Sequence, residues 1–186
     1  METTHDNSKW ANRGVTPVVH FRVTISQETR DQLDELIKVH GGNYTFMMEA
    51  LIAELPTLAG LLTNPVTPGR FNFIAGVTEL SARRSRRDRT LPPRTINTVY
   101  RLSPSRKKIL NDYCSALLVA KVTMVEGLVD YIYKIFVAGQ DKDVGQVETT
   151  ALSLRIKEEI RFLAYNRKSN GRPRKSRPGS PKSTKE

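Results

Sequence analysis

From His20 to Ile25 polar and apolar residues alternate, the period of a strand with one buried face. Phe21, Val23 and Ile25 fall on one side, and His20, Arg22 and Thr24 on the other. The period then lengthens to that of a helix. Ser26 is placed as an N-cap, and Leu33, Leu36, Ile37 and Val39 form one apolar stripe that Gly41-Gly42 ends. Asn43 or Thr45 caps a second helix carrying Phe46, Met47, Ala50, Leu51 and Leu55, with Pro56 expected to stop it.

The same pattern returns further on. Ile96 to Leu102 reads as a strand with Thr98, Tyr100 and Leu102 facing in and Asn97, Val99 and Arg101 facing out. A one-residue slip would swap the two sets, and an outward Val99 fits a solvated strand least well. Ser103-Pro104 starts a helix, with Ile109, Leu110, Tyr113, Leu117 and Leu118 as its apolar positions. Thr123-x-x-Glu126 fits a capping box for a helix bearing Leu128, Val129, Ile132, Ile135 and Phe136, which Gly139 closes. The two Ser caps lie 77 residues apart and the two Thr caps 78, which argues for a duplicated strand–helix–helix unit. The units are read as residues 18–56 and 96–138.

The rest of the chain is polar or irregular. Residues 1–17 read as a flexible arm, and 57–95 as a linker rich in Pro, Gly and Arg with one apolar patch at Phe71 to Ile74. Residues 139–168 hold a C-terminal helix with Leu152, Ile156, Ile160 and Leu163 on one face. Ala151 to Ile156 also alternates, so a short strand competes there with the preferred helix. Residues 169–186 are Pro, Gly, Ser, Lys and Arg, and are expected to be a disordered basic tail.

Charge is concentrated outside the two units. The 186 residues hold 30 Lys+Arg against 19 Asp+Glu, a net +11. Asn166 to Glu186 contributes +7 and Arg83 to Arg94 contributes +5, leaving the remainder at −1. Arg83, Arg84, Arg86 and Arg87 in the linker, with Arg172, Arg174 and Lys175 in the tail, are the candidate basic appendages. Such segments serve solubility or bind phosphate backbones. Gly171-Arg172-Pro173 looks like the core of an AT-hook, though Asn170 stands where an Arg is usual, so a generic basic tail is the competing reading. Arg106-Lys107-Lys108 in a first helical turn opposes the helix dipole, which suits either phosphate contact or a solvated basic face.

No chemistry-bearing constellation emerges. His5, His20 and His40 are scattered without metal-ligand spacing, and there is no phosphate loop or nucleophile elbow. The single cysteine, Cys114, excludes an intrachain disulfide and suits a reducing cytosol. The most apolar stretch, Cys114 to Gly139, carries four charges and is no membrane span. The expectation is a non-enzyme without metal or cofactor, cytoplasmic and associated with nucleoid or plasmid.

A short alternating strand, a Ser-capped helix, a glycine turn and a second helix resemble the ribbon-helix-helix family of DNA-binding proteins, the Arc/MetJ/CopG class. The resemblance covers His20 to Leu55 and Ile96 to Phe136. Two units in one chain look like the tandem version found in the TraY-type relaxosome protein and in the overdrive-binding virulence protein of T-DNA transfer. The resemblance implies a mostly α fold with a short two-stranded antiparallel ribbon, a pseudo-twofold tandem ribbon-helix-helix. One such unit cannot bury an adequate core alone, whereas two copies make a ribbon over four helices that fits a DNA major groove. His20, Arg22, Thr24, Asn97, Val99 and Arg101 are then the candidate base readers. Asn43, Thr45 and Thr123 at the second helices, with Arg106, Lys107 and Lys108, are the candidate phosphate contacts. The expected partner is double-stranded DNA, with a relaxase or a ParA-like ATPase as protein partner, and a monomer suffices for the ribbon. Accessory work in DNA processing or transfer is the leading function. A transcriptional regulator, an autorepressor or antitoxin, is the alternative, and an RNA- or membrane-surface protein held by its tail is a weaker third.

Overall fold

The computed structural model describes residues 17–60, 68–137 and 146–169, so the basic tail and most of the N-terminal arm lie outside it. Two strands and six helices follow in the order β1 (Val19–Ser26), α1 (Gln27–His40), α2 (Tyr44–Ala59), α3 (Pro68–Ser85), β2 (Arg94–Leu102), α4 (Pro104–Ala116), α5 (Lys121–Phe136) and α6 (Gln146–Ser169).

The alternating segments pair with each other as a two-stranded antiparallel sheet. Val19 lies opposite Leu102, Phe21 opposite Tyr100, Val23 opposite Thr98 and Ile25 opposite Ile96. The register shifts after Ile25, because Ser26 meets Arg94 and leaves Thr95 as a bulge. Phe21, Val23, Ile25, Tyr100 and Leu102 are buried against the helices.

Local chemistry sets the helix ends. The Ser26 hydroxyl accepts from the Thr29 amide at 3.2 Å, and the Ser103 hydroxyl from the Arg106 amide at 3.4 Å with Pro104 in the first turn. Gly41 and Gly42 turn the chain at φ 85° and 90°, conformations that glycine adopts without strain. Asn43, not Thr45, caps α2, its side-chain oxygen accepting from the Phe46 amide at 3.0 Å.

Several expectations change. Val39, placed on the apolar stripe of α1, is exposed, and Leu118, placed on that of α4, lies past the end of the helix and is 90% exposed. Pro56 does not stop α2, which runs on to Ala59 and a left-handed Gly60. Proline costs that turn one hydrogen bond, and burial of Leu58 and Ala59 keeps it helical. Thr123-x-x-Glu126 is no capping box: α5 starts three residues earlier behind Ala120, which supplies no side-chain cap. Both residues lie inside the helix and are buried, and Val137 is the C-cap; Gly139, expected to close the helix, lies outside the described residues. The segment read as linker carries α3, whose Phe73 and Val77 are one helical turn apart and buried. The alternation at Ala151 to Ile156 belongs to α6. Leu152, Ile156 and Ile160 on it are buried and Leu163 is half-buried.

The core sits around α2 and α5. Met47, Met48, Leu51, Ile52, Leu55 and Leu58 are buried on α2, and Met124, Val125, Leu128, Val129, Ile132 and Ile135 on α5. Each of these pairs is 77 residues apart in the chain, as are the caps Ser26 and Ser103 and the caps Asn43 and Ala120. Packing is crosswise, with α1 against α5 and α4 against α2 more extensively than either first helix meets the helix that follows it. α3 then covers α5, and α6 covers α2. Gly127 lets α3 come close, since a Cβ there would stand 2.7 Å from Val77 Cγ2.

No described helix is long and apolar enough to cross a membrane.

Candidate nucleic-acid interface

The ribbon turns one face into the helices and the other away from them. On the outer face His20, Arg22, Asn97, Val99 and Arg101 are exposed and Thr24 is half-buried. The register makes these six residues three cross-strand pairs, His20 with Arg101, Arg22 with Val99, and Thr24 with Asn97. The Thr24 hydroxyl donates to Asn97 Oδ1 at 2.7 Å, which fixes the amide and leaves its NH2 group outward. None of the six is acidic, so the face carries only neutral or cationic side chains.

The N-terminus of α5 opens beside this face. At α5, Arg22, Thr24, Arg94, Lys121 and Val122 line a shallow groove between the ribbon and the helix start. With no side chain capping α5, its first N–H groups are unclaimed by a cap. Lys121 is exposed there. Taking Thr123 as the cap starts α5 three residues late and so leaves Lys121 out of the candidate contacts. At α2 the exposed Asn43 caps the helix and Thr45 is half-buried behind it. The Arg30 guanidinium lies 3.5 Å above the Tyr44 ring, and the Tyr44 hydroxyl donates to Asp34. That hydrogen bond, more than burial, raises the Tyr44 phenol above its ordinary range.

Several candidate phosphate contacts are occupied inside the protein. Thr123 is buried and accepts from Arg94 Nη2 at 3.0 Å. Arg106 is tied to Glu159 on α6 at 2.6 Å, and Lys108 to Asp112 at 2.6 Å. Lys107 is half-buried. Two of the three cations at the start of α4 therefore meet acids of their own chain: Arg106 docks α6, and Lys108 makes an exposed i,i+4 pair.

The arginine run is likewise divided. Arg84 and Arg94 converge on Glu126, whose side chain is 4% exposed. Arg94 gives a 2.7 Å contact from Nη2 and 3.1 Å contacts from Nε, while Arg84 reaches 3.4 Å and donates to the Pro92 carbonyl at 2.8 Å. Arg83 pairs with Asp88 at 2.8 Å and donates to Thr90. Thr90, and then Arg83, hold the Asp88 carboxyl down to about 2. Arg83 and Arg84 are thus structural ties and not free appendages. Arg86 and Arg87 are exposed in the turn after α3. Arg172, Arg174 and Lys175 lie outside the described residues.

Two further groups bear on chemistry. Burial pushes the Cys114 thiol up to about 11, so it is a neutral core side chain. A cleft of about 420 Å³ between α1, α3 and α5 mixes Glu28, Glu79 and Asp130 with Arg83, Arg84 and Lys134. Asp130 there already accepts from Gln32 and pairs with Lys134. No group of three His, Cys, Asp or Glu residues that could hold a metal occurs among the described residues. Compared with protein-family models, with curated proteins and with solved structures, the chain matches none of them.

Proposed function

We propose that the chain binds double-stranded DNA sequence-selectively, laying the β1–β2 ribbon into the major groove, as an accessory factor in plasmid- or T-DNA-type DNA processing. The observation that carries this reading is the outer ribbon face, six side chains with no acid among them beside the uncapped start of α5. A two-stranded ribbon fits a groove about 12 Å wide, where each base pair presents a distinct edge. Arg22 and Arg101 suit guanine, Asn97 suits adenine, and the Val99 and Thr24 methyls suit thymine. The uncapped start of α5 with Lys121, and the start of α2 at Asn43, take the flanking phosphates and fix the register.

The chain is read as a tandem ribbon-helix-helix in which two halves share an approximate twofold. Support comes from the 77-residue recurrence of caps and buried positions and from the crosswise helix packing. Both strands come from one chain, so one molecule forms the whole reading face. That favours an asymmetric target and accessory work over a palindromic operator.

Selection of bound duplexes from a random library, followed by titration of the selected site at two salt concentrations, tests the reading. An enriched asymmetric site of about one helical turn or less is expected. Arg22→Ala should weaken that site by about 1–3 kcal/mol and relax preference at one position. Selection that enriches nothing, or an Arg22→Ala loss identical on every duplex, would refute base reading by the ribbon.

A further inference from the structure

α6 carries a second apolar stripe that no described element covers. Its inner face meets α2 and α1 through Leu152, Ile156 and Ile160. Leu154, Glu158, Arg161 and Tyr165 follow one another at i, i+4, i+7 and i+11, a single straight helix face on the opposite side. Leu154 is 55% exposed and Tyr165 73%, with Phe162 on the flank at 59%. Three large apolar side chains together on one helix face form a patch of the kind that marks interaction surfaces. Glu158 and Arg161 stand in mid-stripe, and neither pairs with another described residue. By contrast Arg155 and Glu159 on the same helix are tied to Glu54 and Arg106.

We propose that this stripe docks a second copy of the chain through antiparallel, twofold pairing of α6 with α6. One register satisfies all four positions at once. With the axis midway between Glu158 and Arg161, Glu158 faces the partner's Arg161 and Leu154 faces the partner's Tyr165, and each contact occurs twice. The charge pattern is therefore self-complementary, as an isologous contact requires. The exposed parts of the three apolar side chains amount to on the order of 400 Å² per copy. Twice that is below the roughly 1,200 Å² at which stable interfaces begin, so the pair forms weakly and the chain is a monomer when dilute. The contact lies outside the ribbon and its core, and stands whether or not the ribbon binds DNA.

Sedimentation of the full chain from about 1 to 500 µM tests it. The mean mass should climb from one chain towards two. Phe162→Asp should hold it at one chain across the range. Glu158→Arg and Arg161→Glu each face like charges across the axis, so each alone should associate at least tenfold more weakly. Mixed in equal amounts, these two variants pair opposite charges at every contact and should recover association. All three positions are exposed, and a melting temperature measured for each variant verifies that α6 stays docked. A parent chain that remains monomeric, association unmoved by Phe162→Asp, or a mixture no tighter than its components would each overturn the proposal.

Discussion

Glu126 is where the return to the ribbon is fastened to the core, and removing its carboxylate should be costly. The Glu126→Ala variant leaves the Arg84 and Arg94 guanidiniums side by side with no anion between them. Arg94 keeps only its 3.0 Å bond to Thr123 from that cluster, and Arg84 its bond to Pro92. Breaking a buried ion pair on one side costs about 3–5 kcal/mol. Both arginines retain some access to water, which places the expected loss at the lower end, about 3 kcal/mol. For a chain of this size each kcal/mol lowers the melting temperature by about 2–4 °C, so a fall of roughly 6–12 °C is expected. Glu126→Gln keeps the shape but turns an amide donor towards one guanidinium, and should lose about half as much. Urea unfolding followed by helical circular dichroism reads both, with a shifted midpoint and an unchanged slope. A Glu126→Ala chain within about 0.5 kcal/mol of the parent would show that the three residues are neighbours and not a fastening.

Gly127→Ala should destabilise by about 1–3 kcal/mol, because its Cβ would stand 2.7 Å from Val77 Cγ2, and Val77→Ala in the same chain should restore part of the loss if that contact is the cause. Leu118 is 90% exposed with φ 54°, so Leu118→Gly should raise the urea midpoint by the equivalent of about 1 kcal/mol, and a loss instead would show that the side chain is held by something. His40 is buried beside Phe136 with neither ring nitrogen hydrogen-bonded, and burial first, then Lys157, lowers it from 6.5 to about 4. Above pH 6.5 both states are neutral; between 6.5 and about 4 only the unfolded chain takes the proton, so stability should fall by about 2–3 kcal/mol across that window and His40→Leu should remove the decline. Melting of the Phe162→Asp chain should be independent of concentration from about 1 to 100 µM, since one chain closes its own core, and concentration dependence would point to an intertwined dimer.

Much of this architecture could be read from the chain because periodicity reports burial. The alternation at His20–Ile25 and Ile96–Leu102 shows which face turns inward, and the structure has Phe21, Val23, Ile25, Tyr100 and Leu102 buried. α3 was missed because Pro68-Gly69 at its start, Gly76 inside it and the arginines at its end read as linker, although Phe73, Val77 and Leu80 recur at helical spacing. It is held by Phe73 and Val77 seated on α5 at a glycine, and that close fit is visible only in the tertiary contact. The arginine run was misjudged for a related reason. Charge counted along the chain treats Arg84 and Arg94 as free cations, whereas their counter-ion, Glu126, is over thirty residues away in sequence. Arg106 is the same case, with Glu159 fifty-three residues on. The start of α5 was placed late because Ala120 is a poor N-cap and Thr123 a good one, so propensity pointed to the wrong residue.

That misplaced cap bears on the proposed twofold. With Ala120 as the cap, the second helices start 77 residues apart, like the first ones, and the one-residue discrepancy disappears. At the same offset His20 corresponds to Asn97, Arg22 to Val99 and Thr24 to Arg101. Arg22 and Val99 are also cross-strand partners, so the proposed axis passes through that pair. The buried positions fit the proposed duplication because an aliphatic side chain at either fills similar space, as Leu51 and Leu128 do. The outward positions share no such likeness: a long cation answers a valine at the axis, and a threonine answers an arginine. If the proposed twofold and the proposed DNA-reading role of this face both hold, symmetry kept in the core and lost on the outer face is what selection for an asymmetric DNA site would leave. It follows that exchanging Arg22 and Val99 between the strands should reverse the preferred orientation of the central base pairs while leaving stability within about 0.5 kcal/mol, since both side chains are exposed. The same duplex selection, run on the double variant, reads the orientation directly, and an unchanged preferred site would show that the centre of the ribbon does not touch bases.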